Sequence, residues 1–253
     1  MSVTIGDIYN FIDSIAPFST QEPWDHSGLL LGNRDKKVSK IMTCLDVTSD
    51  TVSKAIDFGA DLIVSHHPVI WDPLSNIDFN SPVAMAVRAS IGVISAHTNW
   101  DLAEGGVNDV LSSVIGLQNI EKLAEDGEEA MLRVGELKVP VPASEFAEIV
   151  AESLDSVVRV TKPDKMIRRV AVCGGAGACF INALPGKNVD AYVTGEVKHN
   201  EYLDAIEADI SLITAGHYET ETISMPILLE FLKKEFPDIE YKYVESVPAI
   251  YVG

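Results

Sequence analysis

Three short segments hold the residues best suited to chemistry: Ser65-His66-His67-Pro68, His97-Thr98-Asn99-Trp100-Asp101 and Gly216-His217-Tyr218-Glu219-Thr220-Glu221. They contain four of the six histidines, and each follows an apolar, strand-like run, Leu62-Ile63-Val64, Gly92-Val93-Ile94 or Leu212-Ile213-Thr214. Parallel strands deliver their carboxyl ends to one sheet edge, where open α/β folds bind ligands. Imidazole with carboxylate is the donor set of zinc, manganese and iron rather than of calcium or a thiolate site. His66 and His67 would face opposite sides of a strand, so both reach one centre only if the strand ends there. Pro68 favours such an ending, because it restricts the residue before it and cannot donate to a ladder. His97 to Asp101 and His217 to Glu221 are helical spacings, which set two side chains roughly 5–6 Å apart on one face. One ion needs fewer ligands than this; a two-metal site, with ions about 3.5–4 Å apart, uses the surplus. A lone histidine at a strand end is ordinarily a hydrogen-bonded structural residue, the reading His26 and His199 receive on their own. Gathering several imidazoles and acids at one edge is different, since it is costly unless a cation balances them.

The periodicity supplies a scaffold for these segments. Apolar residues at Ile5, Ile8, Tyr9, Phe11, Ile12 and Ile15 predict a helix over 4–15. Strands are predicted at 40–47 and 62–64, with a helix over 49–58 closed by Gly59 between them. A helix at 81–90 leads to the strand before His97, and one at 107–115 ends at Gly116. The second half repeats the scheme: 167–172 mirrors 41–47, 190–194 mirrors 61–65, and 211–215 mirrors 92–96. This is a weak structural repeat rather than a tandem one. The fold class is α/β, with an N-terminal half over 1–125 carrying His66, His67 and Asp101, a connecting segment over 126–163, and a C-terminal half over 164–253 carrying His217 and Glu221. The connector contains a strand at 134–141 and a helix at 143–153; a final helix at 226–236 precedes a strand at 241–244. Gly174-Gly175-Ala176-Gly177 reads as a tight strand-to-helix turn, lacking the Lys-Ser/Thr of a phosphate-binding loop. Trp24 and Trp71 read either as pocket walls or as plain packing.

Composition narrows the function classes. The 253 residues are 47% hydrophobic, ample for a sizeable core. Acidic residues number 38 against 19 basic, a formal charge of -19, so the average surface repels nucleic acid and anionic membranes. The basic group Lys162, Lys165, Arg168 and Arg169 reads as a solvated turn. No signal-peptide pattern and no bilayer-length apolar run is found, and the expectation is a cytoplasmic protein with no membrane partner. Cys44, Cys173 and Cys179 lack metal or redox spacing and read as small buried residues.

The chain also resembles the Nif-three-like family, the GTP cyclohydrolase I type 2 homologues, over almost its whole length. The resemblance rests on Trp24-Asp25 with Gly28-Leu29 and Gly32, Cys44-Leu45-Asp46-Val47-Thr48, Ser65-His66-His67-Pro68, His97-Thr98-Asn99 with Asp101, Gly105-Gly106-Val107-Asn108-Asp109, Thr194-Gly195-Glu196, and Gly216-His217-Tyr218 with Thr220-Glu221. Each is weak alone, and their order is specific. The resemblance implies two intertwined, repeated halves with mixed sheets and a centre of two divalent ions, zinc, iron or manganese. His66 and His67 would each bind a different ion, Asp101 and His217 would complete one ion each, and Glu221 would bridge. His97 matches a family histidine beside the metals. His26 stands where asparagine is more frequent, and Trp71 where phenylalanine is usual. The segment 121–163 is too short for the extra domain that some relatives insert.

Hydrolysis is the chemistry such a centre suits. The implied small-molecule substrate is GTP, losing formate, with His97, Glu196 or His26 moving protons, and the implied assembly is a homohexamer. The residues alone do not single out guanine; a phosphoester or amide fits as well. A metal-binding adaptor or a metallochaperone is the non-catalytic alternative.

Overall fold

The computed structural model describes residues 2–123 and 131–248. Two compact units divide the chain: Met1–Gly106 with Ser224–Pro248, and Val107–Ile223. The first opens with α1 (Ile5–Ile15), capped by Thr4 and Asp7 in a reciprocal box, and the short strand β1 (Gly28–Leu31). There follow β2 (Lys40–Cys44), α2 (Ser49–Phe58), β3 (Leu62–Ser65), α3 (Pro82–Arg88), β4 (Gly92–Ser95) and α4 (Thr98–Leu102). Thr48 caps α2, and Gly59 ends it at φ 74°, a conformation open to glycine without a Cβ penalty. The second unit contains α5 (Val107–Val114), β5 (Gln118–Lys122), β6 (Arg133–Pro142), α6 (Ala143–Leu154), β7 (Arg159–Val160), β8 (Met166–Cys173), a 3-10 segment Gly177–Ala183, β9 (Ala191–Thr194), α7 (His199–Glu207), β10 (Ser211–Thr214) and α8 (His217–Thr222). The chain then returns to the first unit with α9 (Met225–Glu235) and β11 (Glu240–Tyr243).

Both sheets are mixed. The first runs β1-β4-β3-β2-β11, parallel except for β1; the second runs β5-β6-β8-β9-β10-β7, with β8, β9 and β10 parallel. β3, β4, β9 and β10 are buried along their whole length, which is why they read as continuous apolar runs. Separate apolar clusters support the two sheets. Met42, Val52, Ala55, Ile63, Ala86 and Val93 pack in the first unit, and Phe146, Val150, Ile167, Val170, Val193 and Ile213 in the second.

The repeat extends to individual hydrogen bonds. Asp61, before β3, accepts from the backbone of Ser39 and Lys40 through one oxygen; Asp190, before β9, accepts from Arg168 and Arg169 in the same way. In both places an aspartate ties the start of one parallel strand to its neighbour.

The observed units correct the expected division. No separate connector exists over the described part of 126–163, because β6 pairs with β8 and α6 packs into the second core. The second unit begins at Val107, not beyond 125, and 224–248 belongs to the first unit, where β11 pairs with β2. The expected 125/126 boundary lies outside the described residues.

Candidate metal centre

In the first unit the ligand candidates follow from how the strands end. Cys44, Ser65 and Ser95 are in register across β2, β3 and β4, so the residues after them emerge side by side. β3 stops at Ser65, as the paired histidines require. The Ser65 and Ser95 hydroxyls donate to the His67 carbonyl at 2.9 and 3.3 Å, turning the chain there. The His66 and His67 rings are then 5.0 Å apart by centroid rather than on opposite faces. His97, directly before α4, brings its ring to 5.0 Å from that of His66 and 5.4 Å from that of His67. One ring nitrogen from each of the three lies within 4.8 Å of the others. Asp101, on α4, places Oδ1 3.5 Å from His66 Nε2.

Each of these rings is held by its other nitrogen. His66 Nδ1 lies 2.9 Å from the Ala96 carbonyl, which can only accept, so Nδ1 carries a proton and, in the neutral ring, Nε2 holds the lone pair. His67 Nδ1 is 2.7 Å from Asp46 Oδ1, and His97 Nδ1 is 2.9 Å from Asp25 Oδ1. Asp25 is buried and also accepts from the Thr98 amide and hydroxyl, the Ser27 hydroxyl and the His26 amide. Burial alone would raise its pKa; the His97, Thr98 and Ser27 hydrogen bonds and the charge of His97 outweigh burial and hold the carboxyl well below the usual range. Trp24 and Trp71, both exposed, stand edge-on to His97 with centroids 5.9 and 5.1 Å away.

The second unit presents a smaller set on the same plan. α8 places His217 Nε2 3.1 Å from Glu221 Oε2, and Glu196, just beyond β9, lies 3.2 Å from His217 Nδ1. The glycine turn after β8 is part of this arrangement. At Gly175, with φ +60°, an added Cβ would fall 2.0 Å from Glu221 Oε1 and 3.3 Å from His217 Nε2. The turn reading of this segment holds, and the absent side chain leaves room for the carboxylate.

Within the first unit His66, His67, His97 and Asp101 are thus gathered, and within the second His217, Glu221 and Glu196. His26 is exposed, with its backbone amide on Asp25. Asp25 and Asp46 were quoted in sequence motifs, but their hold on the histidines was not legible: the contacts span 72 and 21 residues. Cys44 is buried, and burial with the nearby Asp46 charge pushes its thiol up, as expected of an inert residue; Cys179 is exposed, contrary to the buried reading. Each basic residue of the turn has a carboxylate partner: Lys162 and Lys165 share Asp209, Arg168 meets Glu136 and Arg169 meets Glu121. No helix among the described residues is long and apolar enough to cross a membrane.

The donor chemistry fits divalent transition metals. Four imidazoles have Nδ1 held by an oxygen acceptor, the arrangement that orients metal-bound histidines, and carboxylates lie beside Nε2 of His66 and His217.

Comparison with known proteins agrees with the motifs. The Duf34/NIF3 (NGG1p interacting factor 3) family pattern matches residues 3–248. A Clostridium acetobutylicum protein named GTP cyclohydrolase 1 type 2 homolog is 32% identical over 243 residues, covering 92% of this chain and 91% of its own. NIF3-like protein 1 of Drosophila melanogaster is 30% identical over 240 residues, covering 88% and 81%. The crystal structure of Staphylococcus aureus SA1388 matches with a TM-score of 0.91 and 26% identity over 100% of both chains. Motif order, two mixed sheets and near-complete coverage lead to one assignment: the chain belongs to the Duf34/NIF3 family.

Proposed function

We propose that the protein is a dinuclear metal-dependent hydrolase of small anionic molecules, with a purine nucleotide as the preferred substrate class. His66 and His67 would each hold a different ion, Asp101 and His217 would complete one each, and Glu221 would bridge them. The observation that supports this reading is the common orientation of the histidines, each held at Nδ1 by an oxygen, with carboxylates beside Nε2 of His66 and His217. The ions would supply Lewis acidity and acidify a coordinated water.

The chain's own groups have distinct parts. Asp46 and Glu196 orient His67 and His217. Glu196, which lies 3.2 Å from His217 Nδ1, would orient that ring, and together with His97 and the exposed His26 it is proposed to move protons. Asp25 holds His97 in one tautomer. The name of the relatives supports GTP, whose ring opening would release C8 as formate. A cytoplasmic location and a homohexamer belong to the same proposal.

Metal-replete protein incubated with GTP should release formate in a metal-dependent manner, and His67→Ala should abolish it. Turnover confined to another member of a phosphoester panel would keep the hydrolase and change its substrate. Absence of turnover at full metal occupancy would favour the second reading, a metal-binding adaptor or metallochaperone. One observation favours the adaptor: Trp71, Leu74, Ile77 and Phe79, on the segment after His67, are all exposed.

A further inference from the structure

We infer that Trp24 and Trp71 form a recognition platform on which a planar heteroaromatic ring, the purine base of the substrate, stacks beside His97. The inference rests on the nucleotide reading proposed above and deepens it, since it names the residues that select the base.

Exposure is the first ground. The chain has three tryptophans. Trp100 shows what packing does with an indole: it is fully buried, and its Nε1 donates to Ser224 Oγ at 3.3 Å. Trp24 and Trp71 are instead 60% and 44% exposed. An indole is among the largest apolar surfaces a side chain offers, so two left in water at one place point to a surface that a ligand covers.

Placement is the second. Trp24 lies before β1 and Trp71 follows His67, yet both reach the same imidazole. Their ring centroids are 5.9 and 5.1 Å from that of His97, with planes turned by 72° and 89°. Trp71 also lies 6.3 Å from the His67 ring. A perpendicular contact engages an edge, or one face at most, of each indole and leaves the rest of its π surface to a stacking partner. The loop that carries Trp24 is pinned. The Glu22 amide donates to Thr98 Oγ1 at 2.9 Å, the Asp25 amide to the Glu22 carbonyl at 2.9 Å, and the Asp25 carboxylate accepts from the Thr98 amide at 3.0 Å. An indole presented in this way is ordered before a ligand arrives, which lowers the entropy lost on binding.

Charge selects the class of contact. With 38 acidic residues against 19 basic, the average surface repels the phosphates of a nucleotide. Stacking holds a neutral base without any cation, because every base has a π face to offer.

Guanosine, which carries no phosphate, titrated into metal-stripped full-length protein tests the platform apart from any ion. Tryptophan fluorescence should fall saturably, and equilibrium dialysis should give the same dissociation constant. Trp24→Leu and Trp71→Leu keep an apolar side chain but remove the π face; each should weaken guanosine binding at least about fivefold. Trp24→Phe and Trp71→Phe should restore most of the affinity, which a loss of plain packing would not predict. Circular dichroism checks folding. Should a leucine variant not fold, guanosine must still shield the exposed indoles of wild type from oxidation by N-bromosuccinimide. Wild type that does not bind guanosine, folded leucine variants that bind it as wild type does, or indoles left unshielded overturn the inference. The nucleotide reading fails by a different result: if guanosine stacks as described but metal-replete protein hydrolyses no nucleotide, the platform stands and the hydrolase falls.

Discussion

A histidine is a useful metal ligand only when its second nitrogen has been dealt with, and here each has a dedicated acceptor. Ala96 O, Asp46, Asp25 and Glu196 fix the tautomers of His66, His67, His97 and His217. Asp46→Ala and Glu196→Ala should each lower metal affinity by about 10–100-fold while leaving the fold intact. Competition with a chelator measures this; unchanged affinity in both variants would reduce these carboxylates to bystanders. The residues of the candidate centre are legible in the sequence because histidines are rare and their spacing to Asp101 and Glu221 is helical. Their supporting acids are not, because hydrogen bonds spanning tens of residues leave no local pattern.

At the level of elements, the buried strands declare themselves as apolar runs, α8 puts His217 and Glu221 on one helical turn, and α4 carries Asp101 with His97 as the residue that caps it. β6 and α6 are legible as elements, but their membership of the second sheet and core is not, since strand pairing across β6 and β8 is a tertiary choice. The turn after β8 makes a sharp prediction. Gly175→Ala would add a Cβ 2.0 Å from Glu221 Oε1 at a left-handed φ. Glu221 should be displaced, with loss of metal content and roughly 1–2 kcal/mol of backbone strain. Full metal content in the folded variant would refute it. The strand tie at Asp61 predicts a pH dependence. Burial raises its pKa, but hydrogen bonds from Ser39 and Lys40 and the charge of Lys36 prevail and lower it. A carboxyl depressed on folding adds stability above its unfolded pKa of about 3.9, and that stability is lost as pH falls through the lowered folded value. Asp61→Asn should therefore melt below wild type at neutral pH, with the gap closing in acid. A gap that persisted at the lowest pH would show that the charge is immaterial.

For the whole molecule, charge is the dominant datum. A formal charge of -19 makes copies repel, yet at 0.1 M salt the repulsion is screened beyond about 10 Å. The proposed hexamer should therefore hold together at physiological ionic strength, and light scattering at micromolar concentration should return about six chain masses; a monomer mass would remove the claim. The path of the chain has a consequence of its own. β11 is the parallel neighbour of β2 along one border of the first sheet, about two hundred positions away in the polypeptide. Among the described residues, the second unit draws only on the stretch from Val107 to Ile223. During vectorial synthesis the interrupted unit, though it begins first, must wait for the ribosome to deliver α9 and β11, leaving β2 as a bare edge meanwhile. The part of the protein that carries three of the imidazoles thus closes its sheet only after β11 has emerged, and the proposed metal uptake there would follow that step.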